Sequence, residues 1–570
     1  MRDKLPYLWI VLLILLGQAL LLTFQLADQS LWTDEMYTAR IVYSQTVQEA
    51  VAKIRLTENR PPLHYLVLWG WARVVGPSEW GMRLVSVAAT LLATALTFRL
   101  ASSLSSPRTA LWAALLAATA PTLLWYGRIV RGYTLAVPLA LLSTLSFWRA
   151  WGSLSFRPKL VYLLTCALLL FTDYATVPVV AAHLLFLGSV GLSRLRASAL
   201  PVHARSACRR QVRSWLVVGA GLLILGAGLA LIFRWQIDSA VAQRTANTLL
   251  PTLSDLARLP SRIPLMMAGS LFAFYSFSVG ETIFPWHPLA VPGTLAALVL
   301  AWLGIRRMWR DRREVAFIGI WSVGIPFVFI SLFLFGVVLG PNMLVIAAAR
   351  CLYLGPWLFI LVGAGIEARR GSRFSFFLLA VLLATRGICL LNQTGGRHLL
   401  NPVYGVPVRE LAAQVARNVQ PGDVVIFENP LAFDFYFRQL DTTTPLFTPA
   451  RHVGHTVDTE ARADSPAFLG LEGPFISAIA PERLLSYLQN ARPARLWLVV
   501  FQHEGTDRTI EHEIGHSLAR TESYGLISRV GYAPQDPLYA RLRAWWRPRT
   551  PIQYKAEILL YIQHGSAEPE

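Results

Sequence analysis

The chain has 570 residues, of which 54% are hydrophobic and 15% charged, too little polar surface to coat a water-soluble globule of this size. Its formal net charge of +19 would suit a nucleic-acid binder, yet the arginines fall in short clusters between long apolar runs instead of along one polar face. The pattern excludes a soluble globular enzyme and a nucleic-acid partner, and it points to a polytopic α-helical membrane protein with membrane lipids around it.

After Met1-Arg2-Asp3-Lys4 the apolar run Leu5 to Leu26 has no small-residue cleavage site and is expected to be a retained span. Further candidate spans lie at 84–104, 109–126, 133–150, 159–175, 177–193, 214–234, 287–305, 315–337, 348–366 and 374–391. Leu63–Val75 is short for a crossing, and it decides the topology. If it does not cross, Arg99 and Arg108, the Arg149/Arg157/Lys159 group, the dense Arg194–Arg213 loop, Arg306–Arg313 and Arg369–Arg373 all fall inside, as the positive-inside rule requires. It is therefore expected to be interfacial or re-entrant. With about 11 spans and a cytoplasmic N-terminus, three segments fall outside: a first outer loop at 27–83, a second at 235–286, and the tail.

The expected division is a transmembrane module over 1–391 and an extracytoplasmic soluble α/β domain over 392–570, in a plasma or inner membrane. In the tail, Pro421-Gly422-Asp423 turns into the apolar run Val424–Phe427, while Arg495–Phe501 and Tyr554–Ile562 read as further strands. Helical spacing is expected over Pro407–Asn418 and Pro481–Asn490. Cys166, Cys208, Cys351 and Cys389 lack C-x-x-C spacing and suggest neither a disulfide framework nor a zinc site.

Polar chemistry gathers in the outer segments. Trp32-Thr33-Asp34-Glu35-Met36-Tyr37 puts adjacent carboxylates just after the first span; near hydrocarbon they suit general-base work or cation binding, and otherwise they are two solvated loop acids. In Glu58-Asn59-Arg60-Pro61-Pro62-Leu63-His64-Tyr65 two prolines end one helix and open the short one, which fixes Arg60 at the membrane surface either as a site residue or as an arginine snorkelling to headgroups. Trp125-Tyr126-Gly127-Arg128-Ile129-Val130-Arg131-Gly132-Tyr133 places arginines on the poorly basic face, where a phosphate is a natural partner. Tyr275, Gly280-Glu281 and Ala349-Arg350 add polar positions that also read as ordinary loop and span ends. Arg386, near the outer end of the last span, reads either as a residue that snorkels, the favoured expectation, or as a contact to a phosphate group.

In their order, these segments resemble membrane glycosyltransferases of the GT-C superfamily: an Asp-Glu pair after the first span, an E-x-[KR]-P-like segment before a short apolar helix, an R-x-x-R-x-Y-like turn, and F-S-x-G-E in the second outer loop. The resemblance is to the protein O-mannosyltransferase and lipid A aminoarabinose-transferase type and covers roughly residues 1–391. It implies transfer of a sugar from a polyprenyl-phosphate (dolichyl-phosphate-like) donor to a lipid, glycan or protein acceptor at the outer face. Asp34 would be the general base with Glu35 in support. Arg60, Arg128, Arg131, Tyr133, Tyr275, Glu281 and Arg350 would bind the donor phosphate or substrate, and Glu58, His64 and Asp173 would support the site. Cations beside a lipid-phosphate leaving group would stabilise its growing charge, and the carboxylate would take the acceptor's proton. Inversion at the anomeric carbon would follow from a single displacement. Some relatives carry an aspartate in the turn that here spans Arg128–Pro138 and contains none; Asp173 is the candidate substitute. No cofactor is required by this reading, and a divalent cation stays open.

Two other functions compete. A transporter or flippase would place ionisable residues inside its spans, which are here nearly uncharged. His512-Glu513-Ile514-Gly515-His516 fits the zinc-binding H-E-x-x-H of peptidases, but the glycine and third histidine of the longer motif would fall at Ala519 and Glu522, so a membrane-tethered zinc peptidase is the weaker alternative.

Overall fold

The computed structural model describes residues 5–58, 60–151, 153, 155–196, 202–232, 259–311, 313–329, 348–395, 407–427, 435–436, 446–449, 477–479, 488, 490–501, 524–532 and 556–563. Internal contacts divide the chain into two compact units, residues 1–26 with 41–396, and residues 27–40 with 397–570.

The first unit is helical. Among the described residues three helices are long and apolar enough to cross a membrane, Glu79–Leu104, Ala290–Asp311 and Arg373–Thr394, with shorter apolar stretches at Tyr7–Thr23, Tyr174–Val190, Ser214–Leu229, Glu314–Phe329 and Leu352–Ala368. Local chemistry sets several boundaries. The Ser78 hydroxyl accepts from Gly81 N to start Glu79–Leu104, and Ser106 caps Pro107–Ala118 through Thr109 N with proline in the first turn. Pro121 splits the expected third span into Pro107–Ala118 and Pro121–Tyr126, because the residue before a proline avoids the helical region.

The Leu63–Val75 helix has 13 residues and ends at Gly76, whose φ of +87° suits glycine. At about 1.5 Å per residue it is only about 20 Å long, short of the ~30 Å hydrocarbon core. It buries His64, Tyr65, Leu68 and Ala72 along one stripe and exposes Val74. A Leu259–Ser278 helix lies within the segment expected to be the second outer loop.

Close packing in the bundle depends on glycines. A Cβ on Gly304 would fall on the Leu361 carbonyl oxygen, and one on Gly365 on the Leu300 carbonyl, so the Ala290–Asp311 and Gly355–Ala368 helices touch backbone to backbone. Gly304→Ala and Gly365→Ala are each expected to cost about 1–3 kcal/mol by overpacking. Thermal unfolding in detergent should show this, with Gly17→Ala, where nothing lies within 4 Å of the new carbon, as the unaffected control.

Arg386 does not snorkel. It is buried, with Nε donating to Ser278 O at 2.7 Å, Nη1 to Leu116 O at 2.7 Å and Nη2 to Phe277 O at 3.2 Å, and its guanidinium sits 5.1 Å from the Phe359 ring centre. Two of these carbonyls end the Leu259–Ser278 helix, where the peptide dipoles leave partial negative charge. A guanidinium three carbonyls can share is better satisfied there than at the headgroups. Cys166, Cys351 and Cys389 are free and buried.

The second unit carries a six-stranded sheet: β1 (Val424–Phe427), β2 (Leu446–Pro449), β3 (Ser477–Ile479), β4 (Arg495–Phe501), β5 (Tyr524–Tyr532) and β6 (Ala556–Gln563), in the order β3-β2-β1-β4-β6-β5. The first four are parallel, and β6 runs antiparallel to both β4 and β5. The expected strands at Val424–Phe427 and Arg495–Phe501 coincide with β1 and β4, and Val408–Asn418 is helical. The helix expected at 481–490 falls largely outside the described residues. Asp423, immediately before β1, ties it to β4 by accepting from Arg495 Nη2 at 2.7 Å, Arg495 Nε at 3.0 Å and Trp497 Nε1 at 2.9 Å. Residues 27–40 join this unit through Arg409, whose guanidinium donates to Ala27 O at 2.8 Å and Asp28 O at 2.9 Å, and through Tyr436, whose hydroxyl accepts from Leu31 N at 2.7 Å.

Candidate functional site

Three local breaks in the helical unit bring charged groups together. Glu58 terminates the Val47–Thr57 helix in an extended conformation, and Pro61 and Pro62 separate it from Leu63–Val75, leaving Glu58 and Arg60 on a short irregular connection. Asp173 follows the Phe156–Leu170 helix and caps the next turn, its Oδ1 accepting from Ala175 N at 2.9 Å. Arg131 precedes the Tyr133–Trp151 helix.

Arg60 Nη1 lies 3.3 Å from Asp173 Oδ2, and its guanidinium stacks 4.4 Å from the centre of the Tyr133 ring. Arg131 Nη1 lies 2.7 Å from Glu58 Oε1, while the Tyr65 hydroxyl donates to Glu58 Oε2 at 2.6 Å. All four charged residues are buried. Burial works against the charge on Arg60, but the Tyr133 phenol and the Asp173 carboxylate more than offset it and lift its pKa further above the ordinary value. Arg350 is half-buried and lies within electrostatic reach of Arg60, Tyr133, Asp173 and Arg131; its Nε is buried without a hydrogen-bond partner.

His64 sits in the same cluster, 1% exposed, with its ring edge-on to Tyr65. Burial, then Arg131 and Arg60, push its pKa down to about 3, so the ring is neutral at physiological pH. Gly132 makes room for it, since a Cβ there would lie 3.3 Å from both Cβ and Cγ of His64.

A second polar group adjoins the first through rings. Tyr133 meets Tyr126 edge-on at 5.8 Å, the Tyr126 hydroxyl donates to Glu281 Oε2 at 3.2 Å, and the Ser276 hydroxyl donates to Glu281 Oε1 at 2.6 Å. Desolvation pushes the Glu281 carboxyl up to about 7, against the pull of the two hydroxyls. The Tyr275 hydroxyl bonds the Ile283 carbonyl and so pins the turn that carries Glu281. The Tyr126–Glu281 hydrogen bond puts the turn after the Leu259–Ser278 helix beside the end of the Pro121–Tyr126 helix.

The structure therefore gathers Glu58, Arg60, His64, Arg131, Tyr133, Asp173 and Arg350, with Glu281 and Tyr275 alongside. Arg128 also ties down the chain after the first helix: its Nη2 donates to Phe24 O at 2.8 Å and Gln25 O at 2.6 Å. Asp34 and Glu35 belong to the other unit, in the Thr33–Val42 helix. Glu35 is buried, and its Oε2 accepts from Trp32 N at 3.2 Å across the first turn; the Asp34 side chain lies outside the described residues, as do His512, Glu513 and His516. Tyr65, Tyr126 and Ser276 complete the network without having been assigned from the sequence; two of them are tyrosines beside assigned residues, the only signal they gave. No group of three or more His, Cys, Asp or Glu able to hold a metal ion occurs among the described residues; Glu58 and Asp173 each face a guanidinium, a donor set arranged for arginine.

Residues 59–204 match the family model described as dolichyl-phosphate-mannose-protein mannosyltransferase. The fold is similar to that of ArnT from Cupriavidus metallidurans in the apo state, with a TM-score of 0.55, 13% identity, and coverage of 98% of this chain and 99% of that one. Against ArnT from the same organism bound to undecaprenyl phosphate the TM-score is 0.53 with 14% identity, and the coverage is again 98% of this chain and 99% of the other. No curated protein matches the sequence. The matched segment contains Arg60, His64, Arg131, Tyr133 and Asp173, so the chain resembles GT-C membrane glycosyltransferases in its arginine-bearing segment by sequence and over nearly its whole length by fold.

Proposed function

We propose that the chain transfers a sugar from a polyprenyl-phosphate carrier to a lipid, glycan or protein acceptor at the outer face of the membrane. One observation carries the reading: three guanidiniums, Arg60, Arg131 and Arg350, gather around Glu58 and Asp173, so among the described residues of this cluster the guanidiniums exceed the carboxylates by one. A polyprenyl-phosphate sugar is a phosphodiester with a single negative charge, which that surplus neutralises. When the bond between the anomeric carbon and the phosphate oxygen breaks, the oxygen leaves with the phosphate and the negative charge there grows. The arginines then stabilise the transition state more than the bound donor, which is what accelerates a reaction.

The acceptor loses a proton as it attacks, and Asp34 is the residue assigned to receive it, with Glu35 supporting its helix. Displacement in one step inverts the anomeric carbon. Tyr133, Tyr275 and Glu281 bind or position substrate beside the arginines. The accompanying topology is about 11 spans, a cytoplasmic N-terminus, and a soluble α/β domain over 392–570 on the outer side of a plasma or inner membrane.

Asp34→Asn is expected to abolish sugar transfer while the protein stays folded and inserted. Lipid-linked-sugar analysis of cells carrying the variant should show one polyprenyl-phosphate sugar accumulating unused. Full transfer by the variant would remove Asp34 from the mechanism, and movement of a lipid-linked sugar across vesicles without its consumption would replace transfer by transport.

A further inference from the structure

Within the arginine cluster His64 has a different chemistry from its neighbours. It is 1% exposed, and neither Nδ1 nor Nε2 has a hydrogen-bond partner among the described residues. Buried polar groups in folded proteins are nearly always paired, so a buried imidazole with two open nitrogens implies a group that comes to it. The backbone at Gly132 lies behind the residue, where an added Cβ would come within 3.3 Å of the His64 Cβ and Cγ, and the Tyr65 ring stands edge-on with the centroids 5.4 Å apart.

The identity of that group follows from donor and acceptor count. A neutral imidazole offers one N–H donor and one lone-pair acceptor. A phosphate oxygen can use the donor only and matches nothing at the lone pair, and the guanidiniums already supply that kind of contact. A hydroxyl, which both donates and accepts, matches either ring nitrogen. Of the two substituents on the phosphate of a lipid-linked sugar, the polyprenyl chain has no hydrogen-bonding group, and the sugar has hydroxyls on the carbons nearest the phosphate.

Resting on the transfer reading above, we propose that His64 is a specificity-determining residue of the donor site that hydrogen-bonds a hydroxyl of the sugar, the one beside the anomeric carbon. The arginines hold the phosphate, and His64 discriminates what is attached to it. A hydrogen bond at this hydroxyl strengthens as positive charge develops at the anomeric carbon, so the contact affects turnover as well as binding.

The test uses the full-length protein in lipid nanodiscs, a panel of undecaprenyl-phosphate hexoses and pentoses, and the 2-deoxy counterpart of whichever donor the wild type uses. His64→Phe, which keeps a flat ring but no polar atom, is expected to lower kcat/KM on the hydroxylated donor by about 10- to 100-fold, the effect of losing one buried hydrogen bond. On the 2-deoxy donor the wild type and His64→Phe should match. His64→Gln, with a donor and an acceptor, should restore part of the discrimination, and binding of bare undecaprenyl phosphate should be the same in all three proteins. Equal losses on both donors, or loss of bare-phosphate binding, would make His64 a structural or phosphate-binding residue and overturn the proposal. Unchanged kinetics of His64→Phe would overturn it alone, whereas wild-type protein that turns over none of the panel overturns the transfer reading and this proposal with it.

Discussion

Replacing Arg60 by methionine is expected to reduce sugar transfer by about 100- to 1000-fold, the range seen when one preorganised transition-state contact is removed. The same change strands the buried Asp173 carboxylate, whose guanidinium partner lies 3.3 Å away, and breaking a buried pair from one side costs about 3–5 kcal/mol. These two effects separate in a double variant. Arg60→Met with Asp173→Asn removes the stranded charge and should recover most of the thermal stability while leaving transfer lost. If transfer returned along with stability, Arg60 would be an ion-pair partner and nothing more. Arg60→Lys keeps a charge but gives up the planar stacking on Tyr133 at 4.4 Å, and it should fall between the two.

Arg386→Leu is expected to have the largest effect on folding. Its guanidinium serves the carbonyls of Leu116, Phe277 and Ser278, and hydrogen bonds to a charged donor contribute about 1.5–3 kcal/mol each. Leucine fills much of the space but leaves three carbonyls without this donor away from water, so folded protein recovered by size exclusion in detergent should drop sharply. Arg386→Lys can reach one or two of the three and should recover part of the yield. Recovery of wild-type amounts of Arg386→Leu protein would show that water or neighbouring hydroxyls replace the guanidinium. Because Arg386 has no partner within the Arg60 cluster among the described residues, whatever Arg386→Lys protein is recovered should keep most of its specific transfer activity.

Both residues illustrate how far the sequence reached. Arg60 was legible because Pro61 and Pro62 must break the helix beside it, and a short apolar helix follows. Its partner was not, since Asp173 lies 113 positions away and only the packing of Leu63–Val75 against the end of Phe156–Leu170 brings them together, through Leu63 N donating to Phe171 O at 3.1 Å. Glu58 and Arg131 likewise lie 73 positions apart, and only the fold makes them neighbours. Arg386 looked like a snorkelling residue because depth in a span is readable from position, whereas the three carbonyls that hold it come from two other helices. In the sheet, β1 and β4 were readable as apolar runs, but β2 and β3 are four and three residues long, and β5 interrupts its pattern with Gly525, Arg529 and Gly531 and a register shift near Leu526 and Ser528.

By itself the sequence determined that this is a helical membrane protein, that Leu63–Val75 is too short to span, and that acids and arginines gather in the segments between particular helices. These follow from properties a single segment possesses alone: apolar length against bilayer thickness, proline against helix, charge against lipid. Tertiary structure alone decided which arginine faces which carboxylate, that Arg128 reaches the carbonyls after the first helix, and that residues 27–40 go with the C-terminal unit. The gathering of three arginines around Glu58, Asp173 and the buried His64 is likewise a sum over several elements, which no segment's sequence contains.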